Sequence, residues 1–195
     1  MSMTAVRLVA LAGTTREGSF NQRLLDLAAA AAAEAGIAVT PVSLADYDLP
    51  LYSHAREAND FPEAAKALKA LFVAHDGYLI ATPEYNGSIP PLLKNAIDWA
   101  SRPTDGESAV ALSAYRGKVA GLMSASPSPF GGLRALAHLR QILSTIQVMV
   151  VPEQVAVPAS HLAFEGPALK DDLPRMLLGG LVKRTAAVAA ALKTA

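Results

Sequence analysis

Five short apolar runs, separated by polar loops and by segments of helical period, restrict this chain more than any other feature of its sequence. They are Val6 with Leu8, Val9, Ala10 and Leu11, then residues 37–42, 78–81, 118–123 and 148–151. None alternates cleanly between apolar and polar, so each reads as a strand covered on both faces. Between them, residues 20–35 read as a helix with six consecutive alanines at 28–33 and Gly36 as its stop. Residues 61–75 place Phe61, Ala65, Leu68 and Phe72 on one helical face. Further helices open near Pro91 and span 133–145, and a last one is capped by Asp171 or Asp172 and weakened in its middle by Gly179-Gly180. Residues 44–60 and the stretch from 152 to about 170 read as irregular connections. Strands alternating with helices, joined right-handedly, predict an α/β fold: a doubly wound parallel sheet with helices on both faces.

Composition narrows the function classes. At 195 residues, 52% hydrophobic and 17% charged, the chain is expected to form a single domain over 1–195 that buries about 70% of its unfolded surface. Lys plus Arg number 17 and Asp plus Glu number 17, so no net field draws in nucleic acid or an anionic membrane. The absence of cysteine excludes disulfides, thiolate nucleophiles, thiolate zinc sites and iron–sulfur clusters. His54, His75, His138 and His161 are scattered without metal-ligand spacing, so no metal site is expected. No run approaches the roughly 18 to 20 apolar residues of a spanning helix. Arg7 breaks the one candidate signal segment, at 5–12, and a cytoplasmic address is the expectation. Low charge points to a large core and apolar subunit contacts, hence a homo-oligomer.

In a doubly wound sheet, ligands sit outside the carboxyl ends of the strands, where strand order reverses. The loops after strands one, three and four are therefore the candidate site. The first, at 13–21, leads into a helix N-terminus, whose unpaired amides and dipole favour an anion. Thr14 and Ser19 add hydroxyls, Asn21 an amide and Arg16 a guanidinium, which together fit a terminal phosphate. Gly13 and Gly18 have P-loop spacing, but Ser19 stands where a P-loop needs lysine, which argues against nucleoside triphosphate hydrolysis. Thr15 occupies the second glycine position of the dinucleotide fingerprint, so a monophosphate is preferred. The alternative is an ordinary turn in which Ser19 only caps a helix.

The second loop, Thr82-Pro83-Glu84-Tyr85-Asn86-Gly87-Ser88, continues into Ile89-Pro90-Pro91-Leu92-Leu93-Lys94-Asn95-Ala96-Ile97-Asp98-Trp99. With it the chain closely resembles the NADPH-dependent FMN reductases, flavodoxin-like enzymes that include quinone, azo-dye and chromate reductases. The first loop is similar to that family's Gly-Ser-x-Arg-x-x-Ser pattern, with Thr14 replacing serine but keeping a hydroxyl. Gly131-Gly132-Leu133-Arg134 and Leu139-Arg140 resemble its third segment, and the likeness spans about residues 5–155. Pro127 and Pro129 depart from the family's more glycine-rich third loop.

The resemblance implies a five-stranded sheet of order 2-1-3-4-5 and bound FMN. It implies that Thr14, Arg16, Ser19 and Asn21 hold the phosphate, that Pro83, Glu84, Tyr85, Asn86, Gly87 and Ser88 line the isoalloxazine, and that Ser124, Ser126, Gly131 and Gly132 close its remaining edge. Tyr85 either covers part of the ring or supports the turn. It further implies ping-pong hydride transfer from NADPH or NADH to FMN and then to a small acceptor such as a quinone, azo compound, free flavin or metal oxyanion, with no catalytic acid or nucleophile. A homodimer or homotetramer would follow. The competing reading is a flavodoxin-like electron carrier that turns over no small molecule.

Overall fold

A computed structural model describes residues 6–104 and 106–193. Strands β1 (Arg7–Ala12), β2 (Ala38–Val42), β3 (Gly77–Ala81), β4 (Val119–Ala125) and β5 (Met149–Val157) form one sheet in the order β2-β1-β3-β4-β5, with every pairing parallel. This is the order expected. Helices α1 (Phe20–Glu34) and α7 (Asp172–Lys193) cover one face, and α3 (Glu63–Val73), α4 (Pro91–Ala100) and α5 (Leu133–Thr145) cover the other.

The strand period divides the core in two. Leu8, Ala10 and Ala12 of β1 pack with Leu24, Ala28 and Ala32 of α1 and Leu181 of α7. Val9 and Leu11 point the other way, towards Leu68 and Phe72 of α3, Leu93 of α4 and Leu136 of α5. Each of these side chains is almost fully enclosed, which is why the runs carry no polar alternation. The alanines of α1 are the packing surface of a helix lying close to the sheet.

Four features differ from the sequence expectations. The connection after β2 holds a short 3₁₀ turn (Leu44–Asp46) and helix α2 (His54–Asn59), which buries no side chain and so leaves no apolar period to read. α3 begins at Glu63 because Pro62 is extended. β5 continues past Pro152 to Val157: opposite Ala120 and Leu122 of β4 stand Val150 and Gln154, so the pairing shifts around Pro152. An edge strand tolerates this, since proline's missing donor faces no ladder. The segment after β5 contains α6 (Ser160–Ala163) and a small hairpin, β6 (Phe164–Glu165) with β7 (Ala168–Leu169).

α7 runs unbroken through Gly179 and Gly180. A Cβ built on Gly180 meets nothing within 4 Å. Gly180→Ala is therefore expected to stabilise the fold by about 1 kcal/mol through helix propensity; thermal melting that shows no gain would mean that another surface needs the glycine.

Candidate functional site

The loops after β1, β3 and β4 meet at the carboxyl end of the sheet around a cavity of about 280 Å³, at the lower end of the range for small-molecule pockets. Thr14, Arg16, Ser19 and Asn21 line it from the first loop, Pro83, Glu84 and Tyr85 from the second, and Ser126 with Pro127 from the third. A larger groove of about 500 Å³ lies between β5 and α7, but it contains none of the expected site residues.

The first loop is built to donate. Thr14 Oγ1 accepts the Arg16 amide at 3.2 Å and Ser19 Oγ accepts the Asn21 amide at 3.2 Å, so both hydroxyl hydrogens remain available to an anion. Ser19 is buried and caps α1. The exposed Arg16 guanidinium has no partner among the described residues, and neither do the backbone amides of Glu17 and Gly18. Asn21 is largely a strut. Its amide donates to Ala125 O at 2.8 Å and its carbonyl accepts Ala125 N at 2.9 Å, tying the first loop to the end of β4 and leaving one amide hydrogen for a ligand.

The second loop ends in a tight turn. Tyr85 and Ser88 exchange backbone hydrogen bonds of 2.9 and 3.0 Å, with Asn86 at φ 51° and Gly87 at φ 80°. Two successive left-handed residues match the Asn-Gly type I′ turn. Its outer amides, Asn86 N–H and Gly87 N–H, have no acceptor among the described residues. Asn86, Gly87 and Ser88 stand beside the cavity rather than in its wall.

Ser124 and Gly131 serve as joints instead of wall. The buried Ser124 Oγ donates to Thr82 O at 2.6 Å, binding β4 to the second loop. A Cβ on Gly131 would meet Pro158 N at 2.9 Å, so this glycine lets the third loop press against β5. The glutamate at the centre of the site, Glu84, turns to α5: Oε1 accepts Arg134 Nε at 2.7 Å, and Oε2 accepts the amides of Arg134 and Ala135 at 3.1 and 3.3 Å. The Arg134 guanidinium beside it holds its carboxyl below the usual range.

Phe20 and Ala125 also line the cavity and were not anticipated. Phe20 stacks on Phe164 of β6 at 5.5 Å, and Arg23 both covers Phe20 and donates to Gly166 O at 3.1 Å. The C-terminal segment thus braces the first loop, a contact that no local pattern reveals.

Residues 6–162 match the NADPH-dependent FMN reductase family. The chain belongs to that family. It is 35% identical over 180 residues to an NAD(P)H-dependent FMN reductase of Pseudomonas aeruginosa, covering 89% of each chain. It is 36% identical to a 2-hydroxy-1,4-benzoquinone reductase of a Burkholderia species, covering 89% of this chain and 91% of the relative. A similar solved structure is FerB, a flavoenzyme NAD(P)H:(acceptor) oxidoreductase of Paracoccus denitrificans, with TM-score 0.76, 26% identity, and coverage of 95% and 97%.

The donor set of this FMN reductase family member fits FMN. Two hydroxyls, and a guanidinium and amides without partners among the described residues, suit the phosphate, while the outward amides of the tight turn suit the polar edge of a flat ring.

Proposed function

We propose that the chain is an FMN-dependent NAD(P)H oxidoreductase that passes electrons to a small acceptor of the quinone class. FMN held there by Thr14, Arg16 and Ser19 would supply the chemistry of hydride transfer between a reduced nicotinamide and the acceptor. The observation that carries this reading is the convergence, on one cavity, of phosphate donors from the first loop with Pro83, Glu84 and Tyr85 of the second, whose tight turn stands beside it.

The protein's own contribution is orientation and electrostatics. Thr14, Arg16 and Ser19 anchor the phosphate end, and the amides of Asn86 and Gly87 donate to the ring edge, where negative charge develops on reduction. No side-chain acid or nucleophile is required. Among the described residues no helix is long and apolar enough to cross a membrane. The exposed Tyr85 of the cavity wall, with Phe130 and Leu133 exposed where the third loop enters α5, supports a homodimer or homotetramer.

Purified protein loaded with FMN is expected to oxidise NADPH steadily with benzoquinone as the sole acceptor and to give parallel double-reciprocal lines. Absence of turnover without a protein partner would instead favour the electron carrier, a reading to which a chain of zero net charge brings no net acidic charge for docking.

A further inference from the structure

Glu84 belongs to the loop that the reading above places against the flavin ring, yet its carboxylate is engaged elsewhere. Its side chain is 5% exposed, and both oxygens are taken by α5, fifty residues away in sequence. Oε1 accepts both Arg134 Nε, at 2.7 Å, and Nη2, while Oε2 accepts two amides of the helix's first turn, Arg134 N–H at 3.1 Å and Ala135 N–H at 3.3 Å. A carboxylate at a helix N-terminus is favoured by the dipole as well as by the bonds.

α5 has no cap of its own. The residue in the cap position is Gly132, at φ 86° and without a capping side chain, and any Cβ there would overlap Ser124 Oγ. Ser124 in turn holds Thr82 O at 2.6 Å. The packing of the second loop against β4 therefore forbids a local cap, and Glu84 provides it from across the site.

The same face of α5 holds the far side of the turn. Ser88 Oγ and His138 Nδ1 are 3.0 Å apart, and a Cβ on Gly87 would lie 4.0 Å from Arg134 Cδ and Nε. The segment from Glu84 to Ser88 is thus fastened to one helix at both ends. Between the two fastenings stand the turn amides of Asn86 and Gly87, which have no acceptor among the described residues.

We propose that Glu84 is a positioning residue: clasping Arg134 and the α5 N-terminus, it fixes where the Asn86 and Gly87 amides stand beside the flavin ring. The inference rests on the FMN reading of the site. It assigns Glu84 no contact with the ring and makes Arg134 its partner. The clasp also neutralises a guanidinium and a helix N-terminus at the ring's edge, so it influences the field there as well as the geometry.

The test uses the full chain, stripped of flavin and titrated with FMN and with riboflavin. Glu84→Gln keeps the side-chain length but loses the ion pair and an acceptor, and is expected to weaken both ligands by the same factor, at least tenfold, because the phosphate end is untouched. The bound flavin's reduction potential should rise in Glu84→Gln, where Arg134 is left uncompensated, and fall in Arg134→Met, where the carboxylate is. A cap that mattered only for folding would lower the melting temperature without moving the potential. Arg134 is 58% exposed in its side chain, so Arg134→Met serves if Glu84→Gln does not fold, with weaker flavin binding and a lowered potential expected. In apo protein, faster hydrogen exchange of the Asn86 and Gly87 amides in either variant, with unchanged sheet amides, is the expected ligand-free signature. Flavin affinity within twofold of wild type together with an unchanged potential would overturn the positioning role. A wild type that binds no flavin would overturn the reading of the site itself.

Discussion

Arg16→Ala should weaken FMN binding by between tenfold and a hundredfold while leaving riboflavin binding and the melting temperature nearly unchanged. The guanidinium lines the cavity, is exposed, and has no partner among the described residues, so its removal breaks nothing within the fold, and surface changes of this kind stay within about 0.5 kcal/mol. Against a phosphate it offers one or two charge-assisted hydrogen bonds of about 1.5 to 3 kcal/mol, and each 1.4 kcal/mol is about tenfold in affinity. Riboflavin lacks the phosphate and serves as the internal control. Fluorescence quenching titrations of both ligands measure the effect, and equal FMN affinity in the two proteins would remove Arg16 from the site.

Lys118→Met should cost the fold about 3 to 5 kcal/mol, the largest effect on stability expected here. Lys118 is buried at the start of β4, and its Nζ donates to Phe72 O at 2.9 Å, Val73 O at 3.1 Å and His75 O. Phe72 and Val73 end α3 and His75 lies just past its last residues, so the ammonium caps that helix's C-terminus. Methionine fills the space but leaves Val73 O and His75 O without the donor they have, at about 1 to 3 kcal/mol for each that stays dry, while Phe72 O keeps the His75 amide at 3.2 Å. For a chain of this size the melting temperature should fall by roughly 10 °C. Burial lowers the Lys118 pKa from 10.5 to about 8, with Asp76 opposing the shift. The folded pKa lies below the unfolded one, so between about pH 8 and 10.5 the unfolded chain binds the extra proton, and stability from this residue rises with pH. The gap between wild type and variant should therefore be wider at pH 10 than at pH 7.5. Melting temperatures within 2 °C of each other at both pH values would contradict the capping role.

The parts of this molecule legible in its sequence are those set by local physics. Strands buried on both faces announce themselves as unbroken apolar runs, and the polar loops after β1, β3 and β4 stand out because they interrupt apolar sequence with hydroxyls, glycines and an arginine. Helix α2 was hidden because it buries nothing, and the extension of β5 because Pro152 reads as a stop when its edge position is unknown. Within the site, residue types point to the loops that line the cavity but not to what each side chain touches. Asn21 looked like a phosphate donor and is mainly a strut to Ala125; Ser124 looked like a ring contact and is a joint to Thr82. Glu84 faces α5, and Phe20 leans on Phe164. Each assignment depends on a partner more than forty residues away in sequence, chosen by packing, and short-range pattern carries no record of it.

The central claim is that the phosphate end and the ring end of one FMN are held by different loops of a single site. Titrating flavin-free protein with FMN and following the visible spectrum before and after NADPH tests it most directly. One FMN per chain, bleached on adding NADPH, with riboflavin binding weaker by about a hundredfold, is the expected result. A protein that stays colourless, or one that binds riboflavin as tightly as FMN, would contradict it.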